Sequence, residues 1–321
     1  MAVAAAHPSA GPITKTAQER PEACPLCGSG GSAAVVTSVR DYEYGAPGEY
    51  CWLRCDGCGL VRIDPMPTPE VLNLAYPCHY HAYAAPKSAI TRLLLSLARR
   101  RTAARLAASL PSGAGVFDIG CSTGLLLEAI GKRRPARLFG VEYKPQAAEA
   151  ARRRGISCQT GELEDADVEP ASMDLAILHH VLEHVREPVE TLRRTASILK
   201  PGARLVGELP NLDSWDARLF GRYWGGGHAP RHLWHFTPAT LEAALRHAGF
   251  DDIVIRPALH TGHWALSIQH ALRRGRVDCA GLTAGRTWYY PLLLLLTVPV
   301  NAVQATVHKT GIMCFEARRT P

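Results

Sequence analysis

The chain has 321 residues, 47% of them apolar, enough to bury a sizeable core as one large domain or two smaller ones. Its net charge of +7 lies mostly in scattered arginines, and runs such as LARRRTAAR (97–105) and ARRRG (151–155) read as solvated helix faces rather than a nucleic-acid surface. Residues 1–22 lack the basic start and long apolar run of a secretory signal; they read as a disordered leader, which makes the expected location cytoplasmic, where disulfides are rare and the ten cysteines call for another use.

The first ordered element announces itself at Cys24-Pro25-Leu26-Cys27-Gly28. A second Cys-x-x-Cys-Gly turn, Cys55 to Gly59, follows after 27 intervening residues. A two-residue spacing aims two thiolates from one turn at one metal, and the trailing glycine takes the positive φ the turn needs. Two such turns make a four-thiolate shell with no open position, the signature of a structural Zn2+. Redox dithiols are the alternative reading. Between the turns, AAVVTSVRDYEYG and EYCWLRC have the β-branched and aromatic content of short strands. The expected zinc ribbon spans 23–63, and Cys51, Cys78, His79 and His81 lie near it as packing residues or extra ligands.

A linker and amphipathic helix are expected over 64–110. Pro- and Tyr-rich residues 63–86 connect, and SAITRLLLSLARRRTAARLAASL (88–110) carries apolar residues at helical spacing. Beyond Pro111-Ser112-Gly113, strand-like runs at 115–119, 137–142, 156–159, 173–178, 203–208, 251–256 and 311–318 alternate with helical runs at 124–133, 145–154, 187–199 and 238–248. Short apolar strands between amphipathic helices predict a mainly parallel sheet covered on both faces.

Ligands of such a sheet bind beyond the carboxyl ends of its strands. The first strand ends in Asp118-Ile119-Gly120-Cys121-Ser122-Thr123-Gly124, where Gly120 and Gly124 permit a tight turn and close approach to backbone amides. The second strand ends in Glu142, a carboxylate able to accept both hydroxyls of a ribose. Asp118 would repel a pyrophosphate, against a dinucleotide, but suits the ammonium of a methionyl group.

On these motifs residues 115–210 resemble a class I S-adenosylmethionine-dependent methyltransferase. FDIGCSTG is similar to that family's first motif and implies donor contacts from Asp118, Gly120, Cys121, Ser122 and Gly124; Ser122 stands where a glycine is commoner. GVEY resembles the second motif, implying Glu142 at the ribose and Tyr143 beside the adenine. GELEDAD implies Glu162 and Leu163 near the adenine, and MDLAILHHVLEHVREP places His179 beside the donor. The fold class implied is α/β: a doubly wound, seven-stranded, mostly parallel sheet with a small N-terminal zinc ribbon. The methyltransferase domain would occupy 111–321, with inserts at 211–237 and 258–310. The PRHLWHFT segment resembles bacterial zinc-ribbon methyltransferases of broad substrate class.

His180 and His184 are four apart on an expected helix, which suits either a metal or ordinary helix packing. The insert after the fifth strand holds three tryptophans and His228, His232 and His235. His232 and His235 are the candidate bases, and Trp224, His228 and Arg231 the candidate acceptor contacts, Arg231 for an anionic group; stapling of the insert by hydrogen bonds is the alternative. Finally, WYYPLLLLLTVPVNAVQATV (288–307) reads either as a buried or oligomer-forming hairpin or as a monotopic membrane contact with Trp288, Tyr289 and Tyr290 at the interface. The expected function is methyl transfer from S-adenosylmethionine to an oxygen or carbon of a small-molecule acceptor: a sugar, secondary metabolite or lipid-linked glycan. An RNA or protein methyltransferase and a nucleic-acid-binding protein are the rivals.

Overall fold

A computed structural model describes residues 23–76, 89–273, 287 and 289–321 of the protein. The leader 1–22, Cys78, His79, His81 and Trp288 lie outside these described residues.

The N-terminal unit is an antiparallel sheet of β1 (Ser32–Val39), β2 (Tyr50–Cys55) and β3 (Val61–Asp64). Two helices follow, α1 (Pro69–Ala75) and α2 (Ala89–Ala108). The leucines Leu93, Leu94, Leu95 and Leu97 in the first half of α2 are exposed, whereas Ala103, Leu106 and Ala107 in its second half are buried.

The large domain then alternates: β4 (Ala114–Ile119), α3 (Leu125–Gly131), β5 (Ala136–Glu142), α4 (Pro145–Arg152), β6 (Ser157–Thr160), β7 (Met173–His179), α5 (Pro188–Ile198) and β8 (Leu199–Pro210). All six residues of β4 are buried, as a central strand covered on both faces requires. After β8 come α6 (Trp215–Phe220), the two-residue β9 (Trp234–His235), α7 (Pro238–His247), β10 (Phe250–Ala258), α8 (Gly262–Leu272), α9 (Tyr290–Leu296), α10 (Val298–Thr306) and β11 (Ile312–Arg319). The seven strands run in the order β10-β11-β8-β7-β4-β5-β6. Every neighbouring pair is parallel except those of β11, which lies antiparallel to both β10 and β8. This is the doubly wound seven-stranded sheet expected, with its strand order reversing at β4, between β5 and β7.

Three local expectations are corrected. The chain after β7 does not form a helix at His180–His184: His180 has a φ of 53° and residues 182–184 make a turn, so the two imidazoles do not share a helix face. The fifth strand starts at Leu199, because Leu199 already pairs with Met173. And the insert is not separate from the ribbon. Its strand β9 pairs antiparallel with β3, with Val61 opposite His235 and Arg62 opposite Trp234, so the small sheet has four strands ordered β1-β2-β3-β9.

The segment before β11 is a pair of short helices whose polar residues point inward. Asn301 and Gln304 are buried. Asn301 Oδ1 accepts from His260 N at 2.9 Å, and Gln304 Oε1 from Trp264 Nε1 at 2.7 Å. The apolar residues Leu292, Leu295, Leu296, Val298, Val303 and Val307 are exposed instead. Among the described residues no helix is long and apolar enough to cross a membrane.

Candidate active site

A cleft of about 780 Å³ runs along the carboxyl ends of β4, β5 and β7 and under the insert. Its first half is built by the turn after β4. Gly120 (φ 72°) lines the wall; a Cβ there would lie 2.6 Å from Val181 Cγ2, so only glycine fits. Ser122 (φ 49°) also lines the cleft. Gly124 (φ 75°) caps α3 beneath it.

At the end of β5, Glu142 faces the same space. Its two carboxylate oxygens accept from Ser122 N at 2.9 Å and Lys144 N at 2.8 Å, which fixes the plane of the carboxylate across the two strand ends. Asp118 is buried behind the turn rather than on the wall. Burial, then the neighbouring Glu142, pushes its carboxyl up to about 8. Tyr143 is 55% exposed at the rim, Glu162 and Leu163 line the adjoining wall, and His179 closes it from β7. Burial holds the His179 imidazole down to about 4, hence neutral. Cys121 is not brought to the cleft: its thiol turns into the core, 3.5 Å from that of Cys158.

The second half of the cleft is lined by imidazoles: His180, His184, His228, His232, His260 and His263. His180 sits between two carboxylates, its Nδ1 3.4 Å from Glu183 and its Nε2 3.7 Å from Glu208. Burial opposes its charge, but the two carboxylates together push it up to about 10. The others are different. Burial lowers His184, His260 and His263, and takes His232 well below the ordinary range, so these rings are neutral.

Of the acceptor and catalytic residues expected from sequence, the structure brings His228 and His232 to the cleft and leaves three away from it. His235 is buried against the Trp52 ring, 4.3 Å between centroids, with neither ring nitrogen hydrogen-bonded; it packs the seam between the two sheets. Trp224 is buried, donating from Nε1 to Asp216 at 2.8 Å. Arg231 is fully buried: its guanidinium donates to Asp41 at 2.9 and 3.2 Å and to Ala75 O at 3.2 Å, and lies over the Tyr44 ring. Its anion is therefore internal. Glu43 joins this network through Arg231 and His228. Burial opposes the Glu43 charge, yet His228 and Arg231 hold its carboxyl far below the usual range.

Sequence reasoning missed Asp41, Glu43, Glu183, Glu208, His260 and His263. A signal existed for the last two, since ALHTGHW follows the sixth strand and so falls at the carboxyl edge. The partners of Arg231 are far away in sequence and carried none.

The four cysteine thiols converge in the N-terminal unit: Cys24 Sγ is 3.6 Å from Cys58 Sγ and Cys27 Sγ 3.5 Å from Cys55 Sγ, all within 4.8 Å of one another. Gly28 and Gly59, behind the two turns, have φ of 74° and 80°.

The strand order, the glycine turn after β4 and the acid ending β5 define a class I S-adenosylmethionine-dependent methyltransferase. The family model described as a methyltransferase domain matches residues 91–254, about half the chain, and the protein belongs to that family. It is 31% identical over 152 residues to the ubiquinone biosynthesis O-methyltransferase of Xanthomonas axonopodis pv. citri, covering 43% of this chain and 63% of that one. To its namesake in Xylella fastidiosa (strain 9a5c) it is 32% identical over 151 residues, covering 43% and 61%. The chain thus spans about three fifths of the length of these curated relatives. Among solved structures, a Thermotoga maritima S-adenosylmethionine-dependent methyltransferase, described as a possible histamine N-methyltransferase, aligns with a TM-score of 0.46 and 19% identity over 70% of this chain and 89% of that one.

Proposed function

We propose that the protein transfers the methyl group of S-adenosylmethionine to a hydroxyl of a small-molecule acceptor, with the donor in the acidic half of the cleft and the acceptor in the histidine half. The observation that carries this reading is the division of one cleft into those halves. Its volume falls within the range of small-molecule sites, which suits a donor with a modest acceptor better than a folded macromolecule. The ubiquinone-pathway names of the relatives point to O-methylation of a small molecule as the class of reaction.

In this reading Glu142 accepts the ribose hydroxyls, the amides around Gly120 and Ser122 approach the methionyl part, and Tyr143, Glu162 and Leu163 flank the adenine. Asp118 lies behind the turn, where its carboxyl, raised to about 8, would turn negative once the cationic donor or a higher pH draws off its proton. The bound donor brings an already activated methyl, so the protein's task is positioning and activation of the acceptor oxygen. His232 is the candidate for that activation: its Nδ1 is 2.9 Å from Gly226 O, which leaves Nε2 as a lone pair. Trp224, His235 and Arg231 then serve as scaffold, joining the insert to the N-terminal unit.

The four cysteines would hold a structural Zn2+. A tetrahedral shell with Zn–S bonds of about 2.3 Å sets its sulfurs ~3.8 Å apart, close to the separations found. The outward apolar face of α9 and α10 suits contact with a membrane surface, which co-sedimentation with phospholipid vesicles tests.

The test of the main reading is a screen with labelled donor against small-molecule, RNA and protein fractions. Label in a small molecule, lost on His232→Ala with donor binding retained, supports the proposal. Label only in RNA or protein, or full turnover by His232→Ala, contradicts it.

A further inference from the structure

We infer that Glu183, His184 and His232 hold a divalent first-row transition-metal ion at the acceptor end of the cleft, separate from the four cysteines. The inference deepens the proposed function and rests on it for the identity of the acceptor half. One ligand atom from each of the three residues lies within 4.8 Å of the other two. Glu183 is 1% exposed, and neither of its carboxylate oxygens has a hydrogen-bond partner. His180 Nδ1 lies 3.4 Å from one of these oxygens. His180 stands on one side of this carboxylate, and the two oxygens, with no hydrogen-bond donor on them, are available as ligands.

The histidines are prepared in a matching way. His184 Nδ1 lies 3.0 Å from Arg231 O, and His232 Nδ1 lies 2.9 Å from Gly226 O. A carbonyl oxygen only accepts, so His232 Nδ1 carries the hydrogen and its Nε2 presents a lone pair; His184 Nδ1 is shared between Arg231 O and the Tyr76 hydroxyl, 3.0 Å away, and takes the same tautomer when that hydroxyl accepts. Pinning the far nitrogen of a ligating imidazole to a carbonyl is how proteins orient histidines toward metals. Backbone bonds fix the relative position of the ligands as well: Leu233 N and Trp234 N both donate to Glu183 O, at 2.7 and 3.2 Å. This ties the turn after β7 to the insert next to His232.

Two imidazoles and one carboxylate suit zinc, iron, cobalt or manganese and leave coordination positions open. The ion would take the acceptor hydroxyl in one of them and raise its acidity. The hydroxyl proton leaves to solvent. The oxygen forms the new C–O bond as the S–CH3 bond breaks and its electron pair returns to sulfur, giving the methyl ether and S-adenosylhomocysteine. His232 in this arrangement acts on the acceptor as a ligand of the ion.

The experiment loads the full chain with cobalt(II) by equilibrium dialysis, counting ions per chain and recording the visible and near-ultraviolet spectrum. Two ions are expected: one with the thiolate-to-cobalt charge-transfer band of the cysteine site, one without it. His232→Ala and the near-isosteric Glu183→Gln should keep the thiolate band, which reports that the chain is folded, and weaken the second ion at least tenfold. A single ion in the wild type, accounted for by the thiolate band, overturns the inference, as does a second ion bound equally by both variants. Donor titration on the same samples separates the two readings: donor binding without a second ion sinks the metal site alone, and a second ion without donor binding sinks the methyl-transfer reading while the metal site stands.

Discussion

Asp118 carries an opposition between stability and binding. Its carboxyl is raised from 3.8 to about 8 by burial and then by Glu142. The folded chain therefore holds this proton more tightly than the unfolded one. The stabilisation is complete below the unfolded value and is lost as pH rises through about 8, where the bare charge is carried at full cost. Asp118→Asn should match the wild type in thermal stability near pH 4 and exceed it at pH 9 by up to about 5 kcal/mol. Its affinity for donor should fall ~10-fold for want of the charge. A thermal-shift series across pH, with donor titration at pH 9, checks both. Gly120→Ala offers the contrary case: a Cβ 2.6 Å from Val181 at positive φ should cost about 1–3 kcal/mol and close the donor wall, read as loss of both stability and donor binding. At this scale the sequence was informative where function is local. The turn from Asp118 to Gly124 and the acid at Glu142 are readable because chain order puts them at strand ends. Arg231 and His235, expected at the site, lie away from the cleft against Asp41 and Trp52, partners some 180–190 positions off that no local pattern names.

Elements show where local pattern and tertiary placement part. The alternation from β4 to β8 was legible since parallel strands buried on both faces read as apolar runs. The two-residue β9 was not, because it exists only through pairing with β3. Likewise HHVLEH has helical spacing yet turns at His180, which is drawn between Glu183 and Glu208. The junction of β9 with the N-terminal unit is held by the buried Arg231–Asp41 pair. Truncating one partner leaves the other charge buried and alone. Arg231→Ala should therefore destabilise by about 3–5 kcal/mol, seen as a lower urea midpoint. A neutral result would mean that the network is more hydrated than its burial indicates.

For the whole molecule, the consequence is that helix α1 and the insert, which is paired through β9 to the N-terminal sheet, line one side of the cleft, while the strand ends of the seven-stranded sheet line the other. Loss of metal from the cysteines should then be selective. A Cys24→Ser/Cys27→Ser double variant should bind donor within about threefold of wild type yet lose turnover by two orders of magnitude or more. Equal loss of both would mean that the large sheet cannot stand without the small one.

The most direct measurement is calorimetric titration of the protein and its Glu142→Gln variant with S-adenosylmethionine. The account predicts one donor per chain for the wild type and at least tenfold weaker binding for the variant, because Gln presents one acceptor where the carboxylate presents two. Unchanged affinity in Glu142→Gln, or no donor binding by the wild type, would contradict it.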